Sequence, residues 1–592
     1  SDDGVGTTPA LLPPTAPGED GYADDPERRP RLPDVPGLDD RPAEVAGVRV
    51  RTRGVAVLAA RDTALAGLVE DGVAAALARK DPTLWGPEVA AEATARLGWL
   101  DLPESSPSLL PRLGTLRQEL LAEGLDRVVL LGRGSSALAA ETVAAAAGVD
   151  LVVVDTPDPA RVRVALAEPR RTVVVVTPTT GPRADLESLQ RALADTFRRD
   201  GASPEEVGRR FVAVAEPGSP LAETAAAAGF RAVLPTDPDI GDLFGALSAA
   251  TLVPCALAGA DCATLLDEAA VLLPTLADDA GPGLALGAAL GGAGVSGRDK
   301  VVLAPEGDAA PGLARWVEAL LGGSVGQEGR GLVPVVVESP DAPGTERQAD
   351  THLVLLGGPG GASGAGGTAD PEHGTRVTGP LGAQLLLWEH ATAVAARVLR
   401  ADPFDQPDPR LAEREVAAVL ADGAAESPPA LVDGPVQVHD EGGLLGEAAD
   451  LRSALAALLA SVPIGGHLAV RAHLDRYADA EAARLRTALA GQLAHPVTFA
   501  WGPRPPQPGP PRQGAPPTDV HLQVTGEPAD DLDVPERPTT FGRLQQAEAL
   551  AEVRGLLGRG RPVLRLHLND RRSGLDHLLR AVADDTPRGT AP

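Results

Sequence analysis

Short runs of valine and leucine alternate with longer stretches rich in alanine, glutamate and arginine along most of this chain. From Asp126 onward, five such runs predict strands at 128–131, 151–154, 172–176, 211–215 and 232–234. Because these runs are apolar at nearly every position and not only at alternate ones, the strands are expected to be buried on both faces. The pattern therefore predicts a doubly wound parallel sheet in an α/β fold, with helices on both sides.

A second alternation of the same kind begins after Gly297. It predicts strands at 301–303, 333–337 and 353–356, followed by an apolar helix from Leu381 to Leu399. Residues 357–374 are rich in glycine and lack core-forming side chains, so they are expected to form a surface loop. After Asp408 the pattern predicts helices, and then strands at 467–470, 497–501, 520–524 and 563–567.

This pattern predicts a division into a tail, a helical region and two similar domains. Residues 1–45 are rich in proline, aspartate, glycine and arginine and are expected to be a disordered acidic tail. Residues 46–120 have a helical pattern, and 121–295 and 296–410 are predicted as the two sheet domains. Residues 411–592 are predicted to complete the second domain with helices and strands.

Charge and cysteine content narrow the class of protein. The chain has 592 residues and a net charge of −29, which disfavours binding to nucleic acid and to anionic membranes. No apolar run approaches the roughly 20 residues of a membrane helix, and no signal pattern is visible, so a cytoplasmic protein is expected. Cys255 and Cys262 are expected to be buried and reduced, and neither a metal nor a cofactor is predicted.

The stretch from Gly379 to Pro409, GPLGAQLLLWEHATAVAARVLRADPFDQPDP, runs from the apolar helix into a tight acidic turn, Asp402 to Pro407. It closely resembles the signature near the end of the second domain of glucose-6-phosphate isomerases, particularly those of the actinobacterial branch. Further similar segments are Lys80 to Gly86, Glu216 to Leu221 and, more weakly, Gly558 to His567. The resemblance covers roughly residues 48–584. It implies two sugar-isomerase (SIS) domains, a homodimer, and a sugar-phosphate ligand such as glucose 6-phosphate or fructose 6-phosphate.

Two loops stand where a doubly wound sheet binds ligands, at the carboxyl ends of strands. The first contains Gly134, Ser135 and Ser136, and it resembles the family's Gly-x-Gly-Gly-Ser-Ser loop with one glycine missing. The resemblance implies sugar-phosphate binding by these residues. A plain strand-to-helix turn with a serine cap is the alternative interpretation.

The second loop contains Thr179, Thr180, Gly181 and Arg183. At this position the family reads Ser-Lys-Ser-Gly-Ser-Thr and holds the sugar phosphate. Thr179 takes the place of the lysine, whereas the guanidinium of Arg183 could hold a phosphate through two hydrogen bonds. A rigid turn with an exposed arginine is the alternative, because Pro182 removes an N–H donor.

The positions that carry catalysis in the family hold other residues here. Aldose–ketose isomerisation needs a base for the proton at C1 and C2 and a cation for the enediolate. Leu243 takes the position of the family's arginine, next to Asp242, and Gly323 takes that of the proton-transfer glutamate. In the C-terminal site segment, the histidine and lysine positions are taken by Gln507, Arg512 and Gln513. No catalytic residue is therefore predicted.

Substitute groups are hard to find in the sequence. No histidine is predicted to pair with a carboxylate at a strand end, and His390 is expected to be packed or exposed. His495, which precedes a strand, is the least unsuitable substitute base. Glu318 and Glu328 lie five residues before and after Gly323, and neither is one helical turn away from it.

The favoured interpretation is a glucose-6-phosphate isomerase homologue that has lost catalysis. It would bind a sugar phosphate or a partner protein in carbohydrate metabolism. Two alternatives stay open: an active isomerase with relocated catalytic groups, and a structural partner without a ligand.

Overall fold

The computed structural model describes residues 38–178, 183–326, 331–346, 348–360, 373–406, 409–422, 427–503 and 518–583. The described residues from Asp39 onward form one compact unit. Residues 1–37 of the predicted tail lie outside the described part. The tail was predicted to extend too far, because residues 43–45 already form a strand.

The strands, numbered in chain order, are β1 (Ala43–Val45), β2 (Val48–Arg53), β3 (Arg127–Leu131), β4 (Leu151–Val154), β5 (Thr172–Val176), β6 (Phe211–Ala215), β7 (Ala232–Pro235), β8 (Lys300–Pro305), β9 (Val333–Val336), β10 (Thr351–Gly357), β11 (Gly374–Thr378), β12 (Leu431–Asp433), β13 (Val436–Asp440), β14 (His467–His473), β15 (Val497–Trp501), β16 (Asp519–Gly526) and β17 (Val563–Leu568).

The helices are α1 (Val55–Glu70), α2 (Val73–Ala78), α3 (Ala90–Arg96), α4 (Leu102–Ser105), α5 (Leu110–Ala122), α6 (Ser135–Ala147), α7 (Pro159–Leu166), α8 (Arg183–Arg199), α9 (Pro204–Arg209), α10 (Pro220–Ala227), α11 (Ala249–Ala258), α12 (Cys262–Leu272), α13 (Pro282–Val295), α14 (Leu313–Val325), α15 (Leu381–Leu399), α16 (Pro409–Ala421), α17 (Leu451–Ala460), α18 (Arg484–Ala490), α19 (Phe541–Gly558) and α20 (Arg571–Ala583). Short 3₁₀ turns lie at Pro82–Trp85, Leu97–Asp101, Ser106–Leu109, Pro169–Arg171, Leu273–Ala277 and Ala480–Ala483.

The strands form three sheets that share one strand order. The first sheet, β4-β3-β5-β6-β7, is parallel throughout. The second, β1-β2-β11-β10-β8-β9, and the third, β12-β13-β17-β16-β14-β15, each have four parallel strands with an antiparallel hairpin at one edge. In every sheet, four successive parallel strands lie in the order second, first, third, fourth, which is a common doubly wound arrangement. The predicted α/β class with parallel sheets is confirmed.

The predicted strands are present in all three sheets, whereas the antiparallel edge strands were missed. The helical region predicted from residue 46 does not begin with a helix, because its first residues form strand β2, which pairs with β11. β11 in turn lies at the end of the segment predicted as a glycine-rich loop, of which residues 361–372 lie outside the described part. The hairpin strands β1, β2, β12 and β13 are short or alternate buried with half-buried positions, so they lack the continuous apolar runs of the central strands.

The C-terminal residues form a sheet with a core of its own. One face of the third sheet packs apolar side chains against α17, α18 and α20, with Leu468, Leu522 and Leu566 among the fully buried residues. By contrast, one face of the first sheet and one face of the second contribute to a shared apolar core. Strands were predicted in this C-terminal region, but a separate sheet was not.

Helix α15 lies inside the shared core and has the bounds that the sequence predicted. Sixteen of its 19 residues are buried, so it is enclosed on all sides. Glycines of α13 make room for it: a Cβ added at Gly283 would lie 2.4 Å from Nδ1 of His390, and one at Gly287 would lie 2.4 Å from a methyl carbon of Val394. The two helix backbones therefore approach more closely than side chains on α13 would allow.

Two predictions from composition concern cysteines and membrane helices. Cys255 and Cys262 are free and buried, as predicted. Burial raises the pKa of the Cys262 thiol to about 12. In the part of the chain that the structure describes, no helix is both long and apolar enough to span a bilayer.

The close packing of α13 against α15 predicts that Gly287→Ala is destabilising. Alanine favours a helix by about 1 kcal/mol over glycine, but its Cβ would overlap Val394, and overpacking of a core costs roughly 1–3 kcal/mol. Chemical denaturation should show a lower free energy of unfolding. Gly67→Ala in α1 is the matched control, because a Cβ there meets no atom within 4 Å, and it should be neutral or stabilising.

Candidate functional site

The loops after β3 and β5 meet at the carboxyl edge of the first sheet. The N–H of Thr177 donates to the carbonyl of Leu131 at 3.1 Å, and a Cβ added at Gly132 would lie 2.5 Å from Oγ1 of Thr177. Gly134, with φ of 101°, directly precedes α6. Glycines at these positions allow the close approach and the left-handed backbone, so the predicted binding loop is formed as a strand-to-helix turn.

The free N–H groups at the start of α6 bind the carboxylate of Asp242. The N–H of Ser135 donates to Oδ2 at 2.6 Å, and the N–H of Ser136 donates to Oδ1 at 3.0 Å. Burial raises the pKa of Asp242, while these two hydrogen bonds act to lower it. A helix N-terminus attracts anions because its N–H groups lack partners in the helix. Here the chain supplies that anion itself.

The side chain of Arg133, in the same loop, also bonds to other groups of the protein. Its guanidinium lies 2.7 Å from Oδ2 of Asp185 in α8 and 3.1 Å from Oε1 of Glu548 in α19. Its Nε donates to the carbonyl of Asp155 at 2.9 Å. The cationic group of the loop is therefore occupied by carboxyl groups of the protein.

Leu243 and Gly323 are in contact, although they come from segments far apart in the chain. A Cβ added at Gly323 would lie 2.6 Å from Cδ2 of Leu243. Leu243 is buried, so a larger side chain at 323 would require it to move. The structure thus brings together the two positions that the resemblance assigned to the arginine and the glutamate. A leucine and a glycine provide neither a cation nor a base.

The acidic turn after α15 holds the end of α14 in place. Oγ of Ser324 donates to the carbonyl of Pro403 at 2.9 Å, and Nε2 of Gln406 donates to the carbonyl of Gly323 at 3.0 Å. The N–H of Phe404 donates to Oδ1 of Asp402, which tightens the turn. The turn therefore fixes the backbone at Gly323. Its last predicted residue, Pro407, lies outside the described part.

Four aromatic rings form a cluster that includes two of the segments similar to the isomerases. Phe404 lies between Trp85 and Phe244, with ring centroids 5.2 and 5.6 Å apart, and Phe244 stacks on Trp99 at 5.1 Å. Such contacts add about 0.5–1.5 kcal/mol each beyond the burial of apolar area. The segments Lys80 to Gly86 and Gly379 to Pro409 therefore each contribute a ring to one packed cluster.

Glu389 is a buried carboxyl group that sequence reasoning did not single out. Its Oε1 accepts from the N–H of Ala246 at 3.0 Å, and its Oε2 has no hydrogen-bond partner among the described residues. Burial raises its pKa to about 8, so it is largely protonated at neutral pH. A charged residue inside an otherwise apolar helix was the signal that could have found it.

His390 is packed, which was one of its two predicted outcomes. Its ring is buried, and burial lowers its pKa to about 4. His495 is half-buried in the bend before β15 and makes no hydrogen bond or ion pair with a described residue. Neither histidine thus acquires a carboxylate partner in this structure.

Contrary to prediction, histidines do pair with carboxylates near strand ends, and His473 is one of them. Nε2 of His473, the last residue of β14, lies 2.7 Å from Oε2 of Glu552, and Arg471 bonds the other oxygen at 2.6 Å. Although burial acts to raise it, the charges of Arg471 and His473 lower the pKa of Glu552 to about 2. The pair was missed because Glu552 comes from α19, far along the chain.

Several predicted site residues lie outside the described part of the structure, and these are Thr179, Thr180, Gly181, Glu328, Gln507, Arg512 and Gln513. Arg183 begins α8, but its side chain is not described. Their roles stay predictions. Within the described ranges, no group of three or more histidine, cysteine, aspartate or glutamate side chains could hold a metal ion.

Known proteins are similar in sequence to part of this chain. No protein-family model matches the chain. A glucose-6-phosphate isomerase of Thermosynechococcus vestitus is 30% identical over 216 residues, which cover 34% of this chain and 40% of the relative. One from Cyanothece sp. is 28% identical over 243 residues, covering 38% and 45%. The chain thus spans less than half the length of these curated relatives.

Two solved structures share the fold. A glucose-6-phosphate isomerase from Chlamydia trachomatis has a TM-score of 0.50 at 15% identity, covering 65% of this chain and 90% of that chain. A hypothetical protein from Thermus thermophilus has a TM-score of 0.51 at 22% identity, covering 63% and 100%. This chain is therefore related to glucose-6-phosphate isomerases over part of its length.

The buried Glu389 predicts that Glu389→Gln stabilises the protein at neutral and alkaline pH. A carboxyl group whose pKa rises from about 4.5 to about 8 on folding costs stability as pH rises between these values, by roughly 3–5 kcal/mol in total. Glutamine keeps the acceptor for Ala246 and removes this loss. Denaturation at several pH values should show the advantage of the variant growing from about pH 5 to about pH 8. An equal change for the exposed control Glu223→Gln would contradict this assignment.

Proposed function

We infer that this protein is a non-catalytic relative of glucose-6-phosphate isomerases. It does not interconvert aldose and ketose phosphates, and it acts in carbohydrate metabolism by binding a metabolite or a partner protein. The proposal includes the loss of catalysis and the assignment of the substituted positions, which go beyond the partial relationship to the isomerases.

The contact between Leu243 and Gly323 carries this proposal. The reaction needs a base at the substrate carbons and a positive charge near the developing oxyanion, because each lowers the barrier by several kcal/mol. The two positions lie side by side, but position 243 holds an apolar leucine and position 323 a glycine, which has no side chain. Glu389, whose carboxyl group accepts from the N–H of Ala246 in the segment of Leu243, is fully buried.

Asp242 supports the same conclusion, because it occupies backbone donors that could otherwise bind a phosphate. Its carboxylate takes the two N–H donors of Ser135 and Ser136. A phosphate that approached these donors would meet a negative charge in place of free N–H groups. Phosphate binding through the loop of Thr179, Thr180, Gly181 and Arg183 stays a prediction.

The first prediction is that the purified protein does not isomerise fructose 6-phosphate. A coupled assay with glucose-6-phosphate dehydrogenase, which reduces a nicotinamide cofactor as glucose 6-phosphate forms, measures this directly. The rate should equal that of the coupling enzyme alone. Sustained turnover that scales with the amount of protein would mean that relocated groups carry out the reaction.

The second prediction is that Asp242→Gly creates an anion site. Removing the carboxylate frees the N–H groups of Ser135 and Ser136 and should cost about 1–3 kcal/mol of stability. Inorganic phosphate at about 100 times its Kd would then add about 2.7 kcal/mol, visible as a higher Tm. The control Asp239→Gly removes an exposed charge from the same segment. Neither that variant nor the wild type should respond, and an equal response of all three would argue against the role of Asp242.

A further inference from the structure

Two carboxyl groups share one buried guanidinium beside the candidate site. Arg133 bonds Oδ2 of Asp185 and Oε1 of Glu548, and the three side chains are only 11%, 4% and 2% exposed. Oδ1 of Asp185 and Oε2 of Glu548 are buried and have no hydrogen-bond partner among the described residues. We refer to Asp185 and Glu548 as the carboxyl pair.

The charges around the carboxyl pair do not balance if both groups are ionised. The loop before α6 contributes Arg133, α8 contributes Asp185, and α19 contributes Glu548. The loop after β4 contributes Asp155, but its carboxylate is 28% exposed and faces Arg476 at 3.8 Å. One cation therefore faces two buried carboxyl groups. An unpaired buried carboxylate costs several kcal/mol, and a carboxyl group in that situation takes up a proton.

We propose that Glu548 retains a proton beside Arg133 and Asp185, and that this proton keeps α19 closed on the loop that leads into α6. With one proton present, the pair carries one negative charge, which Arg133 compensates. Without it, two negative charges repel each other in a site that excludes water. The contact between α19 and the loop is therefore sensitive to pH. This inference does not rest on the proposed function.

The position of Glu548 explains why the effect extends beyond one residue. Glu548 and Glu552 are four residues apart, on the same side of α19. Glu548 reaches the first sheet through Arg133, and Glu552 reaches the third sheet through Arg471 and His473. Helix α19 thus joins the candidate site to the third sheet. Loss of the proton at Glu548 should loosen the contact of α19 with Arg133 and leave the contact of Glu552 with the third sheet intact.

The direction of the pH effect follows from linkage. Burial raises the pKa of Glu548 well above its ordinary value, Arg133 opposes this shift, and Asp185 adds to it. A group with a raised pKa stabilises the closed state at low pH and loses this effect as pH rises through its folded pKa. Since opening releases one proton, the opening constant rises tenfold for each pH unit until that pKa is reached.

Hydrogen exchange of the full-length chain tests the proposal. Peptides that cover residues 132–137 and 541–552 are followed by mass spectrometry from about pH 5.5 to about pH 8, with rates corrected for intrinsic exchange. In the wild type, the logarithm of the opening constant should rise by about one per pH unit. In Glu548→Gln this slope should fall by about one, because the amide holds no titrating proton.

Two further variants make the result decisive. Asp185→Asn should remove the slope in the same way from the other side of the pair. Glu552→Gln is the control: the pKa of Glu552 is lowered to about 2, so its loss should loosen α19 equally at every pH and leave the slope unchanged. Asp242, which also faces this loop, is present in all variants and cannot cause a difference between them. The proposal is overturned if the wild type has no slope, if either pair variant retains the full slope, or if the Glu552 variant removes it.

Discussion

The candidate site is organised by one buried carboxylate at the beginning of α6. Asp242 binds the two N–H groups that a helix N-terminus leaves free, and it does so from a segment more than a hundred residues further along the chain. This contact fixes the segment that also carries Leu243 and Phe244. Leu243 consequently lies against Gly323, and Phe244 joins the aromatic cluster with Trp99 and Phe404. The two backbone N–H donors at the start of α6 are thereby satisfied by the protein.

The scaffold around the site is closely packed and resembles that of the isomerases. Helix α15 is buried on all sides, glycines of α13 admit it, and the turn after it holds the end of α14. Changes in these segments would create cavities or clashes that cost several kcal/mol. Leu243 and Gly323 fit this packing, since one is a buried apolar residue and the other lies in contact with it. Under the proposed function, a related fold carries an altered site, and the two are compatible in one chain.

Much of the fold could be predicted from the sequence because its central strands are buried on both faces. Their continuous valine and leucine runs, as in β5, are visible without any partner, and the bounds of α15 follow from its apolar length and the prolines around it. Strand β2 was assigned to a helical region because its partner, β11, is more than three hundred residues away. The separate third sheet was missed because strand positions alone do not specify which strands pair.

Site residues could be predicted only at positions that belong to a recognisable sequence motif. The resemblance singled out Leu243 and Gly323, but their contact was not visible in the sequence. The position of Asp242 next to Leu243 was visible in the sequence, whereas its bonds to Ser135 and Ser136 depend on a fold that brings distant loops together. The same limit applies to His473 with Glu552, and to Glu389 with Ala246, since each pair is formed by residues that are distant in the chain.

The decisive question is whether Asp242 occupies the anion-binding end of α6 when a sugar phosphate is present. A crystal structure of the wild-type protein grown with saturating fructose 6-phosphate answers it. We expect the carboxylate of Asp242 to remain within hydrogen-bond distance of the N–H groups of Ser135 and Ser136, with no phosphate on either of them. A phosphate bound to these N–H groups, with Asp242 displaced, would show that the site still receives its anion from solution.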